Sequence, residues 1–230
     1  MINIIKPTLV LVIVAFISSL VLSHIDKITK PDILRQAQEK QDRALALVLP
    51  GYKISKKETV TIRTQTFQYW IAEKQTDGGV KKAYAFEATS PGYSGDVKSM
   101  VGIDEEGTLL GLSILKQTET PGLGARCEEI ATSVTLLGFL KGKTPPPDEI
   151  TQPWFQYQFN GLSLTKPVEI AKRGDWNPSL KDELIAQNSI TAITGATITG
   201  KAVITGLTSA KALLDEALKL KQKNSPGESR

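Results

Sequence analysis

The organisation of this chain is decided by the stretch ITAITGATITGKAV, which runs from Ile190 to Val203. Its first part crowds small and hydroxylated residues around Gly195, and from Thr199 onward apolar residues recur at helical spacing. The pattern therefore predicts a tight turn leading into an amphipathic helix, with Thr197 at or just before the helix N-terminus. That position offers unpaired backbone N–H groups and the positive end of the helix dipole.

This turn is suited to holding an anion, because a helix N-terminus stabilises a bound phosphate. Gly195 and Ala196 lack bulky side chains, so an anion can reach the backbone, and Lys201, one turn later, can neutralise it. The alternative interpretation is a plain helix cap, in which Thr197 or Thr199 bonds the backbone and no ligand binds.

A second glycine-containing loop, QTETPGLGAR, follows an apolar segment at Gln117–Arg126. Pro121 fixes its own φ, while Gly122 and Gly124 let the backbone bend and approach a flat or bulky group. Glu119 supplies a carboxylate. Taken alone, the loop is equally typical of a plain turn between a strand and a helix.

Composition excludes several classes of function. The chain has 230 residues, of which 40% are hydrophobic and 23% charged, as in globular proteins. Its net charge of +4 is spread among interspersed acidic and basic residues, so no nucleic-acid-binding surface is indicated. One cysteine and one histidine, His24, leave no disulfide, no cysteine metal cage and no histidine triad. We therefore expect no metal and no catalytic residues, and chemistry supplied by a cofactor.

The N-terminal segment is predicted to be a membrane anchor over residues 1–25. Thr8–Ser23 carries no charge, and the apolar stretch from Ile2 to Ile25 reaches the roughly 20 residues that cross a bilayer. A cleaved signal peptide is the alternative, although no A-x-A site follows. More basic residues follow the span than precede it, so the positive-inside rule by itself predicts the bulk of the chain in the cytoplasm.

The remaining pattern predicts an α+β fold. Pro31–Leu49 is expected to form a largely solvated helix within a connector at 26–50. Four alternating segments predict an antiparallel sheet, with a hairpin loop at Glu105-Glu106-Gly107: Glu58–Lys74, Val80–Thr89, Val97–Asp104 and Thr108–Leu115. A helix is expected over Ala125–Leu140, a proline-rich loop over Thr144–Glu149, and irregular structure with a further strand and turns over Trp154–Pro178. One domain at 51–220, with the sheet and flanking helices, would then precede a polar tail at 221–230.

Two motifs together resemble a known family. TGAT, followed by Ile198 and Thr199, with ETPGLG some 75 residues upstream, resembles the FMN-binding domain of the Rnf-complex G subunit and of the related C subunit of the sodium-pumping quinone reductase. The segment GYSGDVKSMVGIDEEG, Gly92–Gly107, resembles the G subunit more closely than the C subunit. The resemblance covers nearly the whole chain, including the apolar N-terminus.

The resemblance implies a covalently bound FMN, joined by a phosphoester bond to the last threonine of TGAT, Thr197, with the ETPGLG loop against the same flavin. The residues of these two motifs and of the predicted anion site would position the FMN; they would not act as acids or bases. The candidate cofactor-binding residues are Tyr93, Glu119, Thr120, Pro121, Gly122, Leu123, Gly124, Thr194, Gly195, Ala196, Thr197, Thr199 and Lys201. Trp70, Trp154 and Trp176 are expected to pack rather than to stack on the flavin.

The resemblance also implies an electron-transfer subunit in a complex that couples electron flow between ferredoxin and NAD to ion translocation. It places a single-pass protein in the cytoplasmic (inner) membrane with its bulk on the extracytoplasmic side, and this outweighs the charge count. Its partners would be the other membrane and peripheral subunits of an Rnf-type complex and, for maturation, a flavin transferase.

The chain departs from the family pattern at one position. The family usually has an Asp, associated with recognition by the flavin transferase, six residues before the acceptor; here that residue is Thr191. Two alternatives stay open: a C-type subunit of a sodium-pumping quinone reductase, and a non-redox, membrane-anchored binding module that has lost FMN.

Overall fold

The computed structural model of the chain describes residues 2–62, 65–76, 78–130, 152–171 and 176–224. It separates into two compact units, Met1–Asp42 and Arg43–Arg230. The expected loop at Thr144–Glu149, the expected helix beyond residue 130 and the tail beyond residue 224 lie outside the described residues.

Helix α1 spans Ile2–Val48, so that the division between the two units falls within it. It contains an 18-residue window with a mean hydropathy of 2.4, none of it buried, and is long and apolar enough to cross a membrane. The helix predicted over Pro31–Leu49 is confirmed up to Val48, but the predicted start at Pro31 was wrong, because α1 continues through that residue. Pro31 has no backbone N–H and so removes one hydrogen bond of the helix. The chain is nevertheless helical on both sides of this residue.

The centre of the second unit is an antiparallel sheet whose five strands pair in chain order. The strands are β1 (Lys53–Ile62), β2 (Gln65–Thr76), β3 (Gly79–Pro91), β4 (Asp96–Asp104) and β5 (Leu109–Lys116). This confirms the α+β class and the antiparallel sheet. The sequence pattern predicted one alternating segment over Glu58–Lys74. In the structure this segment belongs to two strands, β1 and β2, which pair with each other. Between β4 and β5, Gly107 has φ +82° in the expected turn.

Shorter elements and one long helix complete this unit. They are α2 (Trp154–Tyr157), β6 (Glu169–Ala171), α3 (Lys181–Ala186), β7 (Ser189–Thr191) and α4 (Thr197–Asn224), with β6 and β7 paired in parallel. The helix expected from Ala125 is instead a 3₁₀ helix over Gly124–Glu128 within the described part. Trp70, Trp154 and Trp176 are buried, which confirms that they pack in the interior.

Helix α4 covers one face of the sheet and lies mainly across β3. Its apolar stripe, including Val203, Leu207 and Leu214, joins Phe86 and Val101 of the sheet in the main core. Near the far end of α4, Lys221 Nζ lies 2.9 Å from Glu58 Oε1 on β1. The hydrogen bond from Lys56, followed in size by the one from Lys221, holds the pKa of the Glu58 carboxyl below its usual value. This ion pair links the end of α4 to β1.

The end of α1 packs against the opposite face of the sheet, where the sequence predicted a solvated connector. Leu45 and Val48 are buried there beside Trp70 and Met100. Gly102 and Gly111, paired across β4 and β5, leave room for this helix end. A Cβ at Gly102 would overlap the Val48 carbonyl oxygen, and one at Gly111 would lie 2.7 Å from Val48 Cα. The expectation of a solvated helix was therefore wrong for these last turns.

We expect Gly102→Ala to destabilise the domain by about 1–3 kcal/mol, because the added methyl group must displace backbone rather than a flexible side chain. Denaturant unfolding of the full chain in detergent would measure the loss. Gly78→Ala is the matched control, since a Cβ there meets nothing within 4 Å. Equal unfolding midpoints for the two variants would contradict this account of the glycine pair.

Candidate functional site

A cavity of about 450 Å³ lies where the start of α4 meets the 117–124 loop and the turn between β3 and β4. Its volume is within the range of roughly 300–1,000 Å³ typical of small-molecule sites. The residues that line it are Tyr93, Glu119, Thr120, Leu123, Gly124, Gly195, Ala196, Thr197, Ile198 and Thr199.

The turn before α4 gives the cavity one wall. Gly195 has φ +77°, a conformation that favours glycine, and the Ala196 N–H donates to the Ile193 carbonyl at 2.8 Å. Helix α4 then begins at Thr197, as the sequence predicted. The wall therefore presents the first turn of a long helix, where backbone N–H groups favour an anion.

A single carboxylate joins the three segments around the cavity. Glu119 is only 5% exposed, and its Oε1 accepts hydrogen bonds from the backbone N–H groups of Tyr93, at 2.9 Å, and Ser94, at 3.0 Å. Its Oε2 accepts the hydroxyl of Thr199 at 2.5 Å. Glu119 thus ties the β3–β4 turn and the start of α4 to its own loop.

Two glycines make room for this carboxylate. A Cβ at Gly92 would lie 2.5 Å from Glu119 Oε1, and a Cβ at Gly124 would lie 2.5 Å from both Glu119 Oε2 and Thr199 Oγ1. Gly122 has φ +75° and open space around it, so it serves the turn rather than this close contact.

The two threonines at the start of α4 have different environments. Thr199 is fully buried, and its hydroxyl is engaged with Glu119. Thr197 is exposed on the cavity wall. Of these two hydroxyl groups, that of Thr197 is the accessible one.

The rim of the cavity is apolar. Tyr93, Leu123 and Ile198 are 72%, 44% and 51% exposed, which is unusual for large apolar side chains that lie together. An apolar rim beside a helix N-terminus suits a ligand that has both a flat apolar part and an anionic part.

The cavity brings together nine of the thirteen residues that the sequence singled out. The other four, which are exposed and do not line it, are Pro121, Gly122, Thr194 and Lys201. Sequence reasoning missed Ile198 and the backbone of Ser94. Ile198 had a signal, because it lies five residues before Val203 and therefore off the buried stripe of α4.

Thr191, the position where the resemblance expects an Asp, is buried in β7. Its N–H and hydroxyl donate to Gln158 Oε1 at 2.8 and 3.1 Å, and its carbonyl accepts from Gln158 Nε2 at 3.2 Å. Gln158 is itself only 1% exposed. A carboxylate at position 191 would face the side-chain oxygen Oε1 of Gln158, and neither group can donate a hydrogen bond to the other. The Thr191 hydroxyl can donate, so threonine suits this position.

Comparison with known proteins gives one family and a consistent group of relatives. The FMN-binding domain family matches residues 92–212. A protein of Haemophilus influenzae, the G subunit of an ion-translocating oxidoreductase complex, is 48% identical over 64 residues, 27% of this chain and 30% of the relative. The protein of the same name from Cereibacter sphaeroides is 32% identical over 126 residues, 52% of this chain and 56% of the relative.

A longer match extends over most of the chain. The G subunit of the proton-translocating ferredoxin:NAD(+) oxidoreductase complex of Clostridium ljungdahlii is 28% identical over 198 residues, 86% of this chain and 84% of the relative. Against the Haemophilus and Cereibacter relatives, by contrast, the chain spans only 30% and 56% of their length.

We expect Gly124→Ala to destabilise the protein by about 1–3 kcal/mol, because its methyl group would collide with both partners of the Glu119–Thr199 hydrogen bond. Gly200→Ala, in the first turns of α4, is the control. Its Cβ would meet neighbours at 3.8–3.9 Å, and alanine favours the helix, so that variant should be as stable as the parent or more so. Chemical denaturation measures both variants, and a Gly124→Ala protein as stable as Gly200→Ala would contradict this role for Gly124.

Proposed function

This chain belongs to the FMN-binding domain family, and we propose that it carries FMN joined by a phosphoester bond to Thr197. The matched residues, 92–212, include every residue that lines the cavity. When bound, FMN supplies reversible electron transfer, which none of the protein's own side chains in this cavity provides.

The observation that carries the proposal is the exposed hydroxyl of Thr197 at the start of α4, on the wall of the cavity. A phosphate esterified there would lie at the helix N-terminus, where backbone N–H groups and the helix dipole favour its charge. Tyr93, Leu123 and Ile198 would contact the flat ring system. Thr199 is a poor acceptor because its hydroxyl is buried and already donates to Glu119.

Formation of this ester requires an activated flavin phosphate and a flavin transferase. The threonine hydroxyl loses its proton and Thr197 Oγ1 bonds to the phosphorus of the flavin phosphate. The phosphoanhydride bond of the donor breaks at the same time, and the donor's other phosphoryl group leaves as a phosphate monoester. A covalent tether of this kind leaves the flavin ring free for electron transfer. The residues around the cavity then orient the ring and limit its contact with water.

We further propose that the chain is an electron-transfer subunit of an Rnf-type complex, which couples electron transfer between ferredoxin and NAD to ion translocation. The names of its relatives support this proposal, since each is the G subunit of an ion-translocating or ferredoxin:NAD(+) oxidoreductase complex. Its partners would be the other membrane and peripheral subunits of that complex.

Helix α1 would anchor this subunit as a single-pass protein in the cytoplasmic membrane, with the FMN-binding domain on the extracytoplasmic side. The apolar window of α1 supports the anchor. Family resemblance supports this orientation, whereas the basic residues that follow the span favour the opposite one.

We expect Thr197→Ala to abolish covalent flavin, because it removes the acceptor oxygen. The full chain would be produced with a flavin transferase, separated on a denaturing gel and viewed under ultraviolet light. Peptide mass spectrometry of the parent should place the adduct on Thr197. Thr197→Ser should restore fluorescence, because serine retains the hydroxyl.

Thr208→Ala is the matched control on the same helix, since that exposed hydroxyl bonds only the Ile204 carbonyl among the described residues. It should fluoresce like the parent. A parent without fluorescence, or a fluorescent Thr197→Ala band, would refute the covalent attachment. A parent that binds no flavin at all would instead favour a binding module without redox function.

The orientation predicts that protease added to intact spheroplasts removes the domain after α1. In inverted vesicles the same domain should be protected, and detergent should abolish this protection. Digestion only in inverted vesicles would place the domain in the cytoplasm, as the charge distribution by itself predicts.

A further inference from the structure

Glu119 is the one charged side chain among the described residues that line the cavity. The other lining residues are apolar, hydroxylated or glycine. Because Glu119 is only 5% exposed, water screens its charge poorly. A ligand in the cavity would therefore experience this charge more strongly than a charge at the open surface.

Three hydrogen bonds hold the Glu119 carboxylate in place. Backbone N–H groups can only donate, so Oε1 must accept from Tyr93 and Ser94. Oε2 accepts the hydroxyl of Thr199. Three donors, from the turn between β3 and β4 and from α4, are therefore directed at this one carboxyl group.

No basic side chain in the described part of the chain forms an ion pair with Glu119. Lys201, the nearest lysine along α4, is exposed and does not line the cavity. The Glu119 carboxylate is thus held by hydrogen bonds and is not paired with a cation among the described residues. The net charge of the side chains that line the cavity is therefore negative.

We propose that the Glu119 carboxylate sets the reduction potential of the flavin to a more negative value, an inference that rests on the proposed function. Electrons added to the ring carry negative charge, and a nearby buried anion raises the free energy of the reduced state. Reduction becomes less favourable, and electron donation by the reduced protein becomes more favourable. Glu119 therefore has two roles: its hydrogen bonds assemble the cavity, and its charge adjusts the cofactor.

Glutamine at position 119 separates these two roles. Its amide oxygen can still accept from Tyr93 and Ser94, while its amide nitrogen donates to Thr199, whose hydroxyl can also accept. The Glu119→Gln protein therefore keeps the shape and hydrogen bonds of the site and loses only the charge. Thermal unfolding before flavin attachment would check that the fold is retained.

The test is an anaerobic spectroelectrochemical titration of the flavin-carrying full chain in detergent. We expect Glu119→Gln to shift the midpoint potential to a more positive value, by several times the shift in the control, Glu183→Gln. Glu183 is an exposed carboxylate on α3, away from the cavity. A Glu119→Gln potential equal to that of the parent would overturn the proposal.

A second pair of variants tests the charge with Glu119 intact. Leu123→Lys adds a cation on the same wall, and Leu123→Met is its uncharged counterpart. The lysine variant should have the more positive potential, and equal potentials would again overturn the proposal. Covalent fluorescence in each sample reports the proposed function separately: a parent without flavin refutes that function, whereas flavin with an unchanged potential refutes only the role of Glu119.

Discussion

The site depends on one buried carboxylate shared by three separate parts of the chain. Glu119 accepts two backbone N–H groups from the turn between β3 and β4 and the Thr199 hydroxyl from the start of α4. The Thr199 hydroxyl is fully buried, so leaving it unpaired would cost about 1–3 kcal/mol. The two carboxylate oxygens of Glu119 thus hold the turn and the helix against the loop, and the cavity lies between these three parts.

The sheet places these three parts within reach of one another. Strands β3, β4 and β5 bring the Gly92–Ser94 turn and the Glu119 loop to one end of the sheet. Helix α4 packs across one face with its first turn at that end, and its apolar stripe fixes its position. The opposite face receives the last turns of α1 over Gly102 and Gly111. Packing on both faces therefore holds the cavity at this end of the sheet in a defined arrangement.

The two threonines at the start of α4, Thr197 and Thr199, show how position determines chemistry. Thr197 and Thr199 carry the same hydroxyl group two residues apart on one helix. A rotation of about 200° between them turns Thr199 into the protein, toward Glu119, and leaves Thr197 exposed at the cavity. The proposed modification follows this difference: the buried hydroxyl stabilises the site, and the exposed one is available to react.

Local pattern in the sequence determined the α+β class, the antiparallel strands and the start of α4, because hydrophobic periodicity and turn residues act over short distances. It also identified Thr197 and both glycine-containing loops. It could not determine that α1 continues through Pro31, that its last turns are buried, or that Gln158 pairs with Thr191. Nor could it reveal the three bonds of Glu119, which join residues 25, 26 and 80 positions away. Those features depend on contacts between distant segments, which only the tertiary structure brings together.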